Sequence, residues 1–303
     1  MVSILKAVIQ NNKFMRKILF LLTFVSMYGQ AQVSGKVLNE DQKPIQYTNI
    51  WVQDGSDGTT TDSLGLFNIP TALATDTLVF NASGYEMFKE EAQNTEQVVL
   101  QAYKIPQPAL IRLPEKYLHH TIGDAHYENM YFQPGNVPYM YGRFFENNDE
   151  IKDVQFVDRV IFYTKSAVAD ATVKIRLMRM DEYGCPSNDL LITPIITSVR
   201  RGNRKNVIKV LEHNVKLPKD GIFVAIEWLM TENNQFRPAN FAKGEHLFED
   251  YRYQPDVMNN KVEKTTSFRY MHGEWFPNDQ FQPRNPNAPR EIVDPAIGLI
   301  LSN

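Results

Sequence analysis

A glutamate inside an apolar strand is the residue whose type and setting are closest to those of a catalytic acid. Glu227 lies in residues 221–230, the most apolar strand-like run of the chain, and shares one strand face with Phe223, Ala225 and Leu229. General acids are often made by placing a carboxyl group among apolar neighbours. Glu227 is therefore the first candidate for chemistry.

Two interpretations of Glu227 are open. Glycoside hydrolysis needs a second carboxylate facing the first, and Glu274 is the partner that the sequence offers. The alternative is a structural role, either at a solvated strand end or in an ion pair with an arginine such as Arg176. We favour the structural role, because nothing in the sequence fixes the distance between the two carboxylates.

Aromatic side chains near the later strands form the second candidate site. Sugar-binding sandwich domains stack sugar rings on such side chains and bind the hydroxyl groups through nearby polar groups. Trp228 is expected in the core, whereas Trp275 lies in a predicted hairpin where it can be exposed. The predicted ligand-binding residues are Trp275, Phe276, Tyr251, Tyr253 and Glu227.

Histidines and the single cysteine have simpler interpretations than catalysis. His119, His120 and His126 lie near Glu128, but their spacing matches no metal-site template, and we interpret them as solvated linker histidines. Cys185 lies in a predicted turn with no activating base and is interpreted as a structural thiol. We predict no metal, no cofactor and no catalytic residue, and therefore no enzyme.

A basic run at residues 200–205 caps a predicted hairpin. A solvated turn is the default interpretation of such a run, and a contact for anionic envelope polymers is the alternative.

The composition excludes several classes of protein. The chain of 303 residues is 43% hydrophobic and 12% aromatic, which is enough for folded cores and excludes global disorder. A formal net charge of −3 gives no electrostatic support for a nucleic-acid partner. One cysteine excludes an internal disulfide.

The first residues predict export. Lys13, Arg16 and Lys17 precede an apolar run at residues 18–27, and small residues follow up to Ala31. This order is typical of a secretory signal peptide, with cleavage expected after Ala31. The run is too short to span a membrane, which needs about 20 apolar residues. We expect no transmembrane span in the mature protein and a location in the periplasm or at the outer membrane.

The remaining chain predicts an all-β fold of two domains. Residues 32–101 contain seven short runs with period-two alternation, separated by turns, which predicts a small β-sandwich. Residues 102–129, interrupted by three prolines, are interpreted as a linker. Residues 130–303 alternate over longer runs, with Val173, Ile175 and Leu177 expected to point inward. They predict a larger, jelly-roll-like β-sandwich.

The first domain resembles a known family. The strings that carry the resemblance are Ser34-Gly35-Lys36-Val37, Lys43-Pro44-Ile45, Asn49-Ile50, Thr61-Asp62-Ser63-Leu64-Gly65-Leu66-Phe67, Leu78-Val79-Phe80 and Ser83-Gly84-Tyr85. They are similar to the carboxypeptidase regulatory-like domain, which implies a transthyretin-like sandwich that is an accessory module rather than a peptidase. The second half is similar to the uncharacterised domain that follows this module in bacterial envelope proteins, on the strings at residues 174–177, 189–193 and 221–228.

These observations predict a non-catalytic, exported binding or docking protein of the cell envelope. An envelope polysaccharide or an outer-membrane protein is the expected partner, and carbohydrate is the candidate ligand. Two alternatives stay open: a glycoside hydrolase that uses Glu227, and an interaction subunit of an outer-membrane complex.

Overall fold

The structure is a computed structural model that describes residues 32–53, 55, 57–104, 117–135, 137–237, 252–280 and 291–303. The predicted signal peptide at residues 1–31 lies outside these ranges. The described chain is built from β-strands and short 3-10 turns, which confirms the all-β prediction of two sandwiches. Within the described residues, no helix is long and apolar enough to cross a membrane.

The first domain contains seven short strands, as predicted. Three form a sheet in the order β4-β1-β7 and four form a sheet in the order β3-β2-β5-β6. The core between the two sheets includes Val37, Ile50 and Phe80. The strands are β1 (Val33–Asn39), β2 (Asn49–Val52), β3 (Gly58–Thr60), β4 (Leu66–Ile69), β5 (Thr77–Asn81), β6 (Phe88–Glu91) and β7 (Gln97–Leu100).

Two strand assignments of this domain differ from the prediction. Alternation predicts a second strand at residues 45–52, but β2 begins at Asn49, because Tyr47 has a positive φ of 61° that breaks the extended backbone. The sequence also predicts a short strand at Gly84 and Tyr85, but Gly84 lies in a turn, Tyr85 forms an isolated β-bridge with Ala102, and the strand beside β5 is β6. The short β6 carries mostly charged residues, so its sequence lacks the apolar alternation of a strand.

The second domain contains two packed sheets. The first, here called the interface sheet, has the order β13-β12-β16-β10-β20-β21, with β14 paired to β12. The second, here called the outer sheet, has the order β22-β19-β11-β23-β8, with β15 paired to β11 and β9 paired to β19. The chain crosses from the interface sheet to the outer sheet between β14 and β15.

The interface sheet contains β10 (Met140–Phe145), β12 (Ala171–Met180), β13 (Pro186–Asp189), β14 (Ile195–Val199), β16 (Ile222–Trp228), β20 (Ser267–Met271) and β21 (Glu274–Pro277). The outer sheet contains β8 (His119–Ile122), β9 (Tyr131–Phe132), β11 (Phe156–Ser166), β15 (Gly202–Lys209), β19 (Asp256–Lys261), β22 (Val293–Pro295) and β23 (Ile297–Ser302). A separate pair is formed by β17 (Gln235–Phe236) and β18 (Arg252–Tyr253). Single 3-10 turns lie at Ala92–Asn94, Asp149–Ile151, Leu211–His213, Glu232–Asn234 and Asn278–Gln280.

The core of the second domain follows the predicted alternation. Val173, Ile175 and Leu177 of β12 point into it, as expected, and Trp228 of β16 is fully buried there. On β11, Val160 belongs to the same core. Successive residues of a strand point to opposite faces, so the intervening residues of these strands face away from this core.

Part of the predicted linker is a strand. Residues 119–122 form β8, which pairs antiparallel with β23 at the edge of the outer sheet. Prolines at nearby positions favoured an irregular segment, but an edge strand needs ladder hydrogen bonds on one side only. The histidines His119 and His120 therefore lie on a sheet edge of the second domain.

Candidate functional site

Glu227 lies at the junction between the two domains, not in an open cleft. Its strand, β16, is the middle strand of the interface sheet between β12 and β10. One face of β16 packs into the core of the second domain, and the opposite face, which carries Glu227, meets the first domain. Its side chain is 0% exposed. Glu227 therefore has no contact with solvent.

Four charged side chains of the interface sheet, here called the charge cluster, meet at this junction: Lys174, Arg176, Asp189 and Glu227. Arg176 Nη1 lies 3.0 Å and Lys174 Nζ 3.2 Å from Glu227 Oε2. Arg176 also donates from Nε and Nη2 to the two carboxylate oxygens of Asp189, at 2.7 Å and 2.6 Å. This bidentate pair fixes the guanidinium plane. Both cations and both carboxylates are thus paired within one buried group.

The first domain supplies the remaining hydrogen bonds of the charge cluster. Asn49 of β2 donates to Glu227 Oε1 at 2.7 Å, and Asn81 of β5 accepts from Arg176 Nη1 at 3.0 Å. Lys174 Nζ donates to the backbone carbonyl of Tyr47 at 2.7 Å. The backbone N–H of Gly84 donates to Asp189 Oδ2 at 2.9 Å. Each charged residue therefore binds a polar group of the other domain.

The pKa values of the two cations are shifted in opposite directions. Burial is the largest influence on Lys174 and lowers its pKa, although Glu227 opposes the change. Burial also acts to lower the pKa of Arg176, but Asp189 and Glu227 outweigh it and raise that pKa. The difference arises because Arg176 has two carboxylate partners at short distance. Arg176 is held charged, and Lys174 is the member of the charge cluster that loses its proton most readily.

This geometry supports the structural interpretation of Glu227. The expected ion pair with Arg176 is present, and the first domain covers the carboxylate. A substrate has no path to a side chain that is 0% exposed. The predicted ligand-binding residue Glu227 is therefore placed in a buried ion-pair network: the apolar strand pattern identified a buried carboxylate but not the domain that covers it.

The predicted aromatic site is divided among packed positions. Trp275 lies in the expected β20–β21 hairpin, but its ring packs 5.0 Å from that of Tyr270 and 5.2 Å from that of Phe223. Phe276 is partly buried on the same strand. Tyr253 is on β18 and packs against the core of the second domain. Tyr251 lies outside the described residues.

An apolar contact between the two domains was not predicted from the sequence. Trp51 is fully buried, packs edge-on to Tyr270 at 5.3 Å and donates from Nε1 to the carbonyl of Pro138 at 2.7 Å. Val79 and Met140 complete this cluster. Asn49 and Trp51 are two positions apart, so they lie on one face of β2, which is the face that meets the second domain. The sequence pattern of β2 does not show that both of its faces are buried.

The other predicted candidates lie apart from the charge cluster. His119 Nδ1 is 3.4 Å from Asp158, and His126 contacts the carboxylates of Asp124 and Glu128. Within the described ranges, no group of three or more possible ligands is placed to hold a metal. Cys185 is half-buried in a turn, where its backbone N–H donates to Asp181.

A shallow cavity of about 390 Å³ lies at the β8 end of the second domain. His120, Gly123, Arg143, Phe145 and Glu150 are among its lining residues. The Arg143 guanidinium lies over the Phe145 ring at 5.2 Å, and its Nε is 3.8 Å from Asp294. Aromatic and charged groups thus share one small depression.

A second exposed surface lies on the outer sheet, on the side away from the core. The outward residues of β11 lie directly opposite outward residues of β15: Arg159 faces Lys209, Ile161 faces Val207, Tyr163 faces Lys205 and Lys165 faces Asn203. We call these eight residues the basic face. Four of the eight are cations and none is a carboxylate.

A tyrosine network borders the basic face. Asn203 Nδ2 donates to the hydroxyl of Tyr127 at 2.9 Å, and Asn203 Oδ1 accepts from the hydroxyl of Tyr131 at 3.4 Å. The Lys165 ammonium lies 4.8 Å from the centre of the Tyr131 ring. Tyr127 is 53% exposed. The side chains next to Asn203 therefore carry an exposed aromatic ring, hydroxyl groups and an ammonium group.

Comparison with known proteins identifies the first domain. Residues 33–111 match the CarboxypepD_reg-like domain family. The first domain is a CarboxypepD_reg-like domain. This domain is non-catalytic, and the resemblance inferred from the sequence is confirmed. The match covers less than half of the chain, and a further β domain follows it.

Solved structures resemble the chain only distantly. Clostridial cysteine protease Cwp84 after propeptide cleavage has a TM-score of 0.40 at 11% identity, over 80% of this chain and 50% of that one. The cysteine protease and lectin-like domains of Cwp84, a surface-layer-associated protein of Clostridium difficile, have a TM-score of 0.34 at 13% identity, over 91% and 59%. This chain thus spans about half of each, and such scores carry no functional argument. No curated protein matches the sequence.

Proposed function

We propose that this chain is a non-catalytic, exported binding protein of the cell envelope, and that its ligand is a carbohydrate. In this proposal the CarboxypepD_reg-like domain is a rigid support for the interface sheet, and the second domain binds the ligand. Export rests on the predicted signal peptide at residues 1–31, and the envelope location rests on that export.

The charge cluster is the observation that carries the non-catalytic part of the proposal. The carboxylate that most resembled a general acid, Glu227, is fully buried and paired with Lys174 and Arg176. Buried ion pairs of this kind hold structure together because breaking them leaves an uncompensated charge. The first domain covers one face of the interface sheet in this way. The surfaces that we propose for ligand binding are therefore the outer sheet and the cavity at the β8 end of the second domain.

Exposed aromatic rings beside polar groups support a carbohydrate ligand. Tyrosine presents an apolar ring and a polar hydroxyl group, which suits a sugar with its C–H faces and hydroxyl groups. Tyr127 combines an exposed ring with a hydroxyl held by Asn203.

A glycan-array screen of residues 32–303, followed by an assay for new reducing ends on each bound glycan, tests this function. We expect specific binding with no release of reducing ends. Release of reducing ends would instead support a glycoside hydrolase. Failure to bind any class of glycan would remove carbohydrate as the ligand and favour an interaction subunit of an outer-membrane complex.

A further inference from the structure

We propose that the basic face and the tyrosines beside it bind an anionic polysaccharide chain, an inference that rests on the proposed carbohydrate-binding function. The chain carries a formal net charge of −3, whereas four of the eight residues of the basic face are cations and none of the eight is a carboxylate. A surface of one sign attracts polymers of the opposite sign.

Lys165 and Lys205 keep their charges available to a ligand. Lys165 lies over the Tyr131 ring at 4.8 Å, and Lys205 lies 5.9 Å from the Tyr163 ring. In the part of the chain that the structure describes, neither ammonium group is within ion-pair distance of a carboxylate. A ring orients an ammonium group without neutralising it. Both lysines can therefore donate charge-assisted hydrogen bonds to a carboxylate or sulfate group.

The basic face carries an electrostatic cost in the absence of a ligand. Arg159 lies directly opposite Lys209, and like charges in directly opposed positions destabilise a strand pair. The carboxylate of Asp158, 3.6 Å from Arg159, offsets part of the repulsion at Arg159, whereas Lys209 is exposed. A row of anionic groups along the two strands would remove this repulsion.

The shape of the basic face favours a polymer of sugars over other ligands. Small molecules bind in concave sites, whereas this surface is the open side of a sheet. Protein partners are anchored by large side chains that fill deep apolar pockets, and Val207 is the one exposed aliphatic side chain among the eight residues of the basic face, because Ile161 is buried. Tyr163 and Lys165 are two residues apart, so about 7 Å separates them along the strand. Repeated charge and aromatic contacts at this spacing suit an extended chain.

Asn203 is a positioning residue in this arrangement. Its amide bonds to the hydroxyl groups of Tyr127 and Tyr131, so it links the exposed Tyr127 to the tyrosine whose ring lies against the ammonium group of Lys165. A polysaccharide chain that stacks a sugar ring on Tyr127 would thus run beside the part of the basic face that carries Lys165 and Asn203. The aromatic ring and the charge would then act on the same polymer chain.

Binding to matched polymer pairs tests the proposal. Residues 32–303 are titrated with polygalacturonate and its methyl ester, and with dextran sulfate and dextran. We expect at least one anionic polymer to bind about tenfold more tightly than its neutral counterpart, with the difference shrinking as salt screens the charges. Lys165→Ala/Lys205→Ala and Tyr127→Ala should each weaken that binding about tenfold.

A matched double variant controls for net charge. Lys89→Ala/Lys219→Ala removes two exposed lysines from β6 and from the turn before β16, and should bind within about twofold of the wild type. All the changed side chains are exposed, so equal melting temperatures are expected and show that folding is intact. Equal loss of binding in both double variants would overturn the proposal, because net charge alone would then explain it.

The remaining outcomes separate this inference from the proposed function. Neutral and anionic polymers could bind equally, with no change in the Lys165→Ala/Lys205→Ala variant. This result would contradict the basic face as the binding site but would still agree with the proposed carbohydrate-binding function. Equal binding of polyglutamate would show recognition of charge without sugar and also overturn the polysaccharide site on the basic face. If no polymer binds and the glycan array also shows no binding, both the polysaccharide site on the basic face and the proposed carbohydrate-binding function are wrong.

Discussion

Replacing Glu227 by glutamine is expected to leave two buried cations without their shared carboxylate. Removing one member of a buried ion pair costs about 3–5 kcal/mol of unfolding free energy, and we expect the lower end because a glutamine oxygen can still accept from Arg176. Urea denaturation at pH 7 measures the loss. Glu274→Gln, at an exposed position of β21, should change stability by less than about 0.5 kcal/mol. Equal effects of the two substitutions would contradict a structural role for the charge cluster.

The stability of the same variant, Glu227→Gln, is expected to depend on pH because of Lys174. Burial lowers the pKa of Lys174 in the folded state, so between that lowered pKa and the ordinary value of about 10.4 the unfolded chain binds more protons. Glu227 acts to raise this pKa, so its removal should lower the pKa of Lys174 further. Stability of Glu227→Gln should therefore rise with pH over a wider window than that of the wild type, and its deficit should shrink. Denaturation curves at intervals from pH 7 to pH 10 test the sign. A deficit that grows with pH would show that Lys174 is not the residue that responds.

Candidate residues were recognised by type more reliably than by environment. The sequence identified Glu227 as a carboxylate on an apolar strand, and its pairing with Arg176 was among the interpretations considered. The partners Asn49 and Asn81 were not predicted, because Asn49 lies 178 positions from Glu227 in the chain. Local alternation specifies which face of a strand a residue occupies, but not what lies against that face.

At the scale of elements, the turn at Gly84 docks the first domain onto β13 of the second. Gly84 has a positive φ of 81°, and a Cβ added there would lie 2.5 Å from Cα of Ile192. Gly84→Ala therefore combines backbone strain with a clash against backbone atoms, and we expect a loss of about 2–4 kcal/mol. Thermal or urea unfolding measures the loss.

Gly184 is the matched control for that substitution. It also has a positive φ, 76°, but nothing lies within 4 Å of an added Cβ. Gly184→Ala should cost only the strain of the left-handed backbone, about 1 kcal/mol. If both alanine variants lose the same free energy, the close approach of Ile192 does not contribute, and the docking role of the Gly84 turn is wrong.

Long alternating strands were predicted well, and short or polar ones were not. The run that contains Val173, Ile175 and Leu177 and the run at residues 221–230 form β12 and β16, whose inward residues repeat every second position. β8 and β6 were missed because their residues are largely polar or charged and their stability comes from pairing with β23 and β5. Strands of this kind are defined by their neighbours, which local sequence does not encode.

At the scale of the whole molecule, the two domains are expected to unfold together. The domains share the charge cluster and the buried contact of Trp51 with Tyr270. Separating them would expose paired charges and a tryptophan, so a state with one folded domain is unfavourable. Midpoints measured by tryptophan fluorescence and by far-UV circular dichroism should therefore coincide in a single transition.

A disruption of the charge cluster should weaken this coupling. In Glu227→Gln the two midpoints are expected to move apart, because the interface loses more free energy than either domain core does. Two transitions already separated in the wild-type protein would contradict the rigid-support role proposed for the CarboxypepD_reg-like domain.

Local sequence patterns predict the all-β class, the two sandwiches, the family of the first domain and the inward residues of the main strands. These features follow from alternation, turn residues and short strings, which are properties of neighbouring positions. Folding in three dimensions is needed to show that Glu227 is covered, that Asn49 and Trp51 face the second domain, and that Arg159, Lys165, Lys205 and Lys209 share one surface. Strand pairing and domain docking join residues far apart in the chain, and a polar strand face has the same sequence pattern whether water or another domain covers it.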